Sequence, residues 1–145
     1  MSLASEIRET RVPSGSVRLW WLGQAGFVLK SPNGKVLVID PYLTDYCSEI
    51  GKKVGVRMDR LAPPPILPGE LECDCLTFTH SHPDHLDPET FNGFQETGRS
   101  VSILAPAETI VALRKLGAGE DQLEMTWPNK VHRLGDSHNA RHSHV

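Results

Sequence analysis

The segment His80-Ser81-His82-Pro83-Asp84-His85 places three imidazoles and one carboxylate within six positions. Divalent zinc and manganese take imidazole nitrogen and carboxylate oxygen at about 2.0–2.2 Å. Side chains two apart on an extended segment lie on one face, so His80 and His82 can both reach one ion. Asp84 and His85 follow Pro83, where the chain must turn, and can converge from the other side to hold a second ion. Two ions that share a bridging hydroxide give a nucleophile at neutral pH and polarise a carbonyl or phosphoryl oxygen. The competing reading is a polar loop that happens to be rich in histidine. Four candidate ligands directly after an apolar strand weigh against it. Histidine with carboxylate suits zinc, manganese or iron alike.

The elements around the run are readable from pattern. A strand over Asp74–Thr79 delivers it at its C-terminal end, where open α/β folds place their sites. Asp87-Pro88 then opens a helix, with Asp87 as N-cap and Pro88 in the first helical position. Phe91 and Phe94 share a face of this helix, and Gly98 stops it. Upstream, strands over Val17–Leu22 and Phe27–Lys30 flank Gly23-Gln24-Ala25-Gly26. That segment is too short for a phosphate-binding loop and lacks the following Lys-Ser/Thr, so it is expected to be a hairpin turn. Pro32-Asn33-Gly34 makes the next turn. Val36-Leu37-Val38-Ile39 is apolar throughout, which predicts a third strand, over Lys35–Ile39, buried on both faces; Asp40-Pro41 ends it. Residues 42–72 lack periodicity, and Pro63-Pro64-Pro65 and Pro68-Gly69 forbid a regular element there. Such a stretch is either a lid or site wall or a plain surface loop. Downstream come a strand over Val101–Leu104, a helix over Ala107–Leu116, and short strands near Leu123–Thr126 and Lys130–Leu134.

This order predicts a mixed α/β domain, with hairpins first and a strand–helix–strand unit after them. Residues 1–16 are expected to be a flexible lead-in, 17–136 the domain, and 137–145 an irregular histidine-rich tail. Of the seven histidines, three lie at 80–85, four at 132–144 and none before His80.

Composition narrows the partners. A chain of 145 residues suits one domain, and 39% apolar with 23% charged residues suits a folded, soluble one. The net charge of −3 and the absence of a Lys/Arg stripe argue against nucleic acid. No apolar run approaches the roughly 20 residues of a membrane span, and Met1–Arg11 has no apolar signal core. The expectation is therefore a cytoplasmic protein acting on a small molecule, with a homo-oligomer left open. An odd count of cysteines, Cys47, Cys73 and Cys75, argues against a disulfide framework. The Cys73-Asp74-Cys75 spacing suits neither a zinc ribbon nor a redox motif, so these are expected to be buried thiols without special chemistry.

The run 80–85 fits H-x-H-x-D-H and resembles the signature of the metallo-β-lactamase superfamily. The preceding Cys75-Leu76-Thr77-Phe78-Thr79 is similar to the apolar strand that leads into that signature. Trp20-Trp21-Leu22-Gly23-Gln24-Ala25-Gly26-Phe27 and Val38-Ile39-Asp40-Pro41-Tyr42 resemble the first hairpin and third strand of its L-ascorbate-6-phosphate lactonase-like branch. The resemblance covers about residues 17–135. It implies a four-layered αβ/βα sandwich with a dinuclear metal site between two similar halves, of which this chain corresponds to the N-terminal one. It implies that His80 and His82 bind the first ion and Asp84 and His85 the second. Asp84 would orient the bridging hydroxide and relay a proton, and Asp40 would support the ligands from behind; a helix or turn cap is the plainer role for Asp40. Later family motifs contribute a further histidine, a bridging aspartate and a final histidine. His142 is the positional candidate for the first of these, with His138 and His144 competing and an unstructured tail as the opposing reading; His132 reads as a surface strand residue. The implied activity is lactonase-like hydrolysis of a small, phosphorylated sugar-acid. Phosphodiester hydrolysis on the same fold and a truncated, non-catalytic metal-binding remnant are the alternatives. Half of a sandwich would also leave one apolar sheet face uncovered.

Overall fold

The computed structural model describes residues 1–134. Six strands form one sheet in the order of the chain: β1 Arg18–Gly23, β2 Gly26–Lys30, β3 Val36–Ile39, β4 Cys75–Thr77, β5 Ser102–Ala105 and β6 Leu123–Met125. The first three are joined by short turns and pair antiparallel, Trp20 opposite Val28 and Val28 opposite Val38. From β3 onward the pairs are parallel. Parallel neighbours need long crossovers, and the chain provides them through residues 40–74, then α3 Pro88–Gln95, then α4 Ala107–Lys115.

One face of the sheet carries the core. Leu22, Val28, Val38, Leu76, Ile103 and Ala105 are all at 1% exposure or less and cluster with Phe91 and Phe94 of α3 and Ile110 and Leu113 of α4. Each such large side chain contributes about 1.5–3 kcal/mol by leaving water. The residues paired on the opposite face are apolar too: Leu19 with Leu29 and Leu37, and Trp21 with Phe27 and Ile39. No layer of the described residues covers them at the hairpin side, and Leu19 and Trp21 stand 54% and 63% exposed.

That asymmetry corrects one expectation. Strand β3 is buried through Val36 and Val38 but only half-buried through Leu37 and Ile39. The helices cover one side alone, so a continuous apolar run here does not mean two covered faces.

Three other expectations change. The lead-in is folded: α1 spans Leu3–Glu9, is capped by the Ser2 hydroxyl and inserts Ile7 into the core. Its C-terminal carbonyls, Ile7 O and Arg8 O, accept from the buried Lys30 Nζ at 2.7 and 2.8 Å. The stretch 42–72 contains a helix, α2 Tyr46–Val54, and a single 3-10 turn at Pro68–Glu70. Helix α2 escapes pattern reading because its buried face is made of Cys47, Ser48 and Gly51. Gly51 is small for a reason, since a Cβ there would fall 2.3 Å from Val56 O. Lastly, Lys130–Leu134 is not a strand. Asn129 takes a left-handed conformation (φ 67°), and Lys130 N closes a turn on Trp127 O.

Helix α3 starts as the sequence indicates. Asp87 accepts from Glu89 N at 3.0 Å, and its other oxygen accepts from the hydroxyls of Thr44 and Thr90. Thr90 in turn accepts from Leu43 N. This buried network fixes the start of the 42–72 segment against the helix that follows the histidine run.

Candidate metal centre

Strand order dictates where the histidine run lies. Because β2 is antiparallel to both its neighbours while β3 and β4 are parallel, three things meet at one end of the sheet. These are the turn 23–26, the end of β3 at Asp40, and the exit of β4 at 79–85. The exit is tight: both His85 N and Leu86 N donate to His82 O, at 2.9 and 2.8 Å. That single turn folds Asp84 and His85 back over His80 and His82.

Asp40 is the anchor. It is 2% exposed and held at φ 42°, a left-handed conformation uncommon for a residue with a side chain but most accessible to Asp and Asn. Its backbone N–H continues the ladder to Thr77 O. Its carboxylate accepts from Thr79 N at 2.7 Å, from Thr79 Oγ1 at 2.6 Å and from His85 Nδ1 at 2.9 Å. A carboxylate offers acceptors only, so the proton in each contact belongs to the partner. The Thr79 hydroxyl therefore spends its hydrogen on Asp40 and offers a lone pair to His80 Nδ1, 3.0 Å away. In the neutral tautomer this selects, the ring proton sits on Nδ1 of His80 and of His85, and each Nε2 carries the lone pair. A carboxylate behind a ligating imidazole is the usual device for this.

The two Nε2 atoms face other candidate ligands, and that of His80 is within hydrogen-bond distance of His82. His80 Nε2 lies 3.1 Å from His82 Nδ1, with the rings at 75°. Two ligands of a tetrahedral ion bound at about 2.0 Å would be roughly 3.3 Å apart, so this pair fits one edge of a coordination shell. His85 Nε2 lies 3.7 Å from Asp84 Oδ2, and the His85 ring sits 3.9 Å from that of His80. The donors thus stand as two adjacent pairs. Among the described residues, no group of three or more His, Cys, Asp or Glu side chains is placed to hold one ion.

The structure thus brings together Asp40, His80, His82, Asp84 and His85. His142, like His138 and His144, lies outside the described residues. His132 is remote from this cluster in its bonding: its Nδ1 meets Glu124 Oε1 at 2.8 Å beside β6. The cysteines are free thiols, Cys47 and Cys75 buried. Burial pushes the Cys75 thiol up to about 11 and the Cys73 thiol up to about 12, as suits inert groups.

One member of the cluster was hidden in the sequence. Gln24 reads as part of a hairpin turn, and it is, but its φ of 52° aims the amide across the turn, where Nε2 donates to Asp84 Oδ2 at 3.1 Å. A long polar side chain between two glycines was the available signal. Gly26 permits the approach, because a Cβ there would meet Asp40 O at 3.2 Å.

Comparison with known proteins shows the family. Residues 18–141 match the family described as the beta-lactamase superfamily domain. The chain is 34% identical over 108 residues to a metal-dependent hydrolase of Polynucleobacter asymbioticus, covering 71% of this chain and 32% of that protein. It is 30% identical over 151 residues to a protein of Salmonella heidelberg named "Probable L-ascorbate-6-phosphate lactonase", covering 92% of this chain and 43% of the other. A metallo hydrolase from the archaeon Ignicoccus hospitalis shares the fold with a TM-score of 0.51 at 20% identity, over 81% of this chain and 42% of that one. The chain therefore spans about a third to under half the length of these relatives.

Proposed function

The chain belongs to the metallo-β-lactamase superfamily, and on that premise we propose that it carries the first ligand motif of a metal-dependent hydrolase acting on a small lactone. The observation that carries the reading is the Asp40–Thr79–His80/His85 network, which leaves two imidazole Nε2 lone pairs beside His82 and Asp84. His80 Nε2 and His82 Nδ1 are the pair for one divalent ion, and His85 Nε2 with Asp84 the pair for a second. Zinc and manganese both suit this donor set. Held by these residues, such ions would supply a hydroxide nucleophile at neutral pH and would polarise the carbonyl to be attacked.

The protein's own groups do the rest. Asp40 fixes the ring protons and so holds the ligands in their binding tautomers. Asp84 is held through Oδ2 by Gln24, and its Oδ1, which has no partner among the described residues, can take a proton and return it to the leaving alkoxide. A lactone suits this arrangement because ring opening needs one attack and one proton return, with no second group to expel. The lactonase-named relative favours a phosphorylated sugar-acid lactone as the substrate.

A second reading is metal binding without turnover, favoured by the open, two-pair arrangement of donors. Phosphodiester hydrolysis remains the alternative chemistry. The test is hydrolysis of a sugar-acid lactone and of a bis-aryl phosphodiester, with zinc or manganese supplied, by the chain and by its His82→Ala variant. Lactone opening that His82→Ala abolishes supports the proposal. Metal binding with no turnover of either substrate selects the second reading.

A further inference from the structure

We propose that Arg60 forms an oxyanion-binding subsite beside the metal centre, one that receives a phosphate or carboxylate of the substrate. The inference rests on the hydrolase reading for its biological meaning, but the site is argued from its own geometry. Arg8, Arg18, Arg57, Arg99 and Arg114 each pair with a carboxylate. Arg60 does not. Its guanidinium is half-buried and held by carbonyl oxygens, with Nη1 donating to Tyr42 O and Nε to Ala62 O at 3.1 Å. It also stacks on the Tyr42 ring, 5.0 Å from the centroid. Two of five N–H groups are used, and Nη2 has no hydrogen-bond partner among the described residues. The result is a full positive charge, fixed in orientation, with an unfilled fork of donors. Such a fork matches a phosphate or carboxylate in two-point contact.

Its place in the fold ties it to the site. Nη2 packs on the bare backbone of Gly23, where a Cβ would lie 2.9 Å away. Gly23 is at φ 89°, so the turn needs glycine there for conformation as well as for room. The next residue, Gln24, reaches Asp84 from that same turn. The guanidinium and the Asp84 carboxylate thus flank one four-residue turn. Tyr42, the platform for Arg60, is two residues from Asp40 and is itself pinned, its hydroxyl accepting from Cys47 N. Pro63-Pro64-Pro65, just beyond Ala62, has restricted φ and no N–H, so this length of chain is stiff before any ligand arrives. The irregular stretch that pattern reading leaves unassigned here positions a charge.

The experiment is an anion titration followed by NMR on the Arg60 side-chain Nε–Hε resonance, assigned by its loss in Arg60→Gln. The 145-residue chain is titrated with inorganic phosphate and, separately, acetate, at constant ionic strength and without added metal. The expected result is a saturable shift of that resonance and of the neighbouring Gly23 backbone amide, which every variant keeps, with affinity read from that amide about ten- to a hundredfold weaker in Arg60→Gln, the span expected for hydrogen bonds to a charged group. Arg60→Lys keeps the charge but not the fork and should fall between. Tighter phosphate than acetate would assign a phosphorylated substrate, and the reverse a carboxylate. A resonance that neither anion moves in the wild-type chain, or equal binding by folded Arg60→Gln, overturns the subsite. The two proposals fail separately: a phosphate shift in a chain that binds no metal sinks the hydrolase reading alone, and metal binding without an anion shift sinks the subsite alone.

Discussion

Replacing Asp40 by Asn tests the reasoning about the metal centre most finely, because it changes charge and proton placement while keeping shape. Asn tolerates the left-handed conformation at φ 42° as well as Asp does, so backbone strain is not introduced. One amide oxygen can still accept from Thr79 N, as Asp40 Oδ1 does at 2.7 Å. The amide NH2 then occupies the place of Oδ2, where it faces the Thr79 hydroxyl and His85 Nδ1, both of which donate to the carboxylate. Donor now meets donor. The relief is for His85 to move its proton to Nε2, which removes the lone pair meant for an ion. Loss of a carboxylate behind a ligand typically weakens metal affinity about 10–100-fold, which is about 1.4–2.7 kcal/mol. The metal-free fold should lose a further 1–3 kcal/mol or so from the buried, mismatched bonds. The assay is competition for zinc against a chromogenic chelator, with urea unfolding of both metal-free proteins alongside. Unchanged zinc affinity in a folded Asp40→Asn chain would refute the idea that Asp40 sets the ligand tautomers.

Other consequences follow from single contacts. Asp87→Ala removes the cap of α3 and strands the hydroxyls of buried Thr90 and half-buried Thr44, so urea unfolding should show a loss of about 2–4 kcal/mol. The raised Cys75 and Cys73 thiols imply an alkaline limit. Below the ordinary thiol pKa near 9 both folded and unfolded chains hold the protons; above it only the unfolded chain ionises, so stability should fall from about pH 9 towards 11–12. Chemical unfolding at stepped pH reads this, and Cys75→Ser should flatten the slope. The uncovered sheet face, with Leu19 and Trp21 more than half exposed, should drive concentration-dependent self-association. Sedimentation should show that association reduced in Leu19→Lys, and a wild-type chain monomeric at every concentration would remove the face as a cause.

The sequence was most informative where pattern and chemistry coincided. The apolar strand before His80 and the Asp87-Pro88 helix start are visible as periodicity and capping, so the run is already bracketed between a strand end and a helix. What closes the site was less visible. Asp40 lies about 40 positions before the histidine run and reaches Thr79 and His85 only because β3 and β4 pair in parallel. Gln24 and Arg60 act through a left-handed turn and a stiff irregular segment, neither of which has a period to detect. Helices α1 and α2 escaped for a related reason: each is short, and each buries few residues, Ile7 in one and Cys47, Ser48 and Gly51 in the other. The expectation for β3 failed differently, since a run of four apolar residues reports what a strand can bury and not what is there to cover it.

The most direct test is metal stoichiometry by calorimetric titration with zinc and manganese. It should use a chain in which His138, His142 and His144 are replaced by alanine, so that the tail cannot bind on its own account. Binding of at least one ion per chain that disappears in His80→Ala/His82→Ala is the predicted result. Equal binding with and without His80 and His82 would place the ions elsewhere and contradict the account.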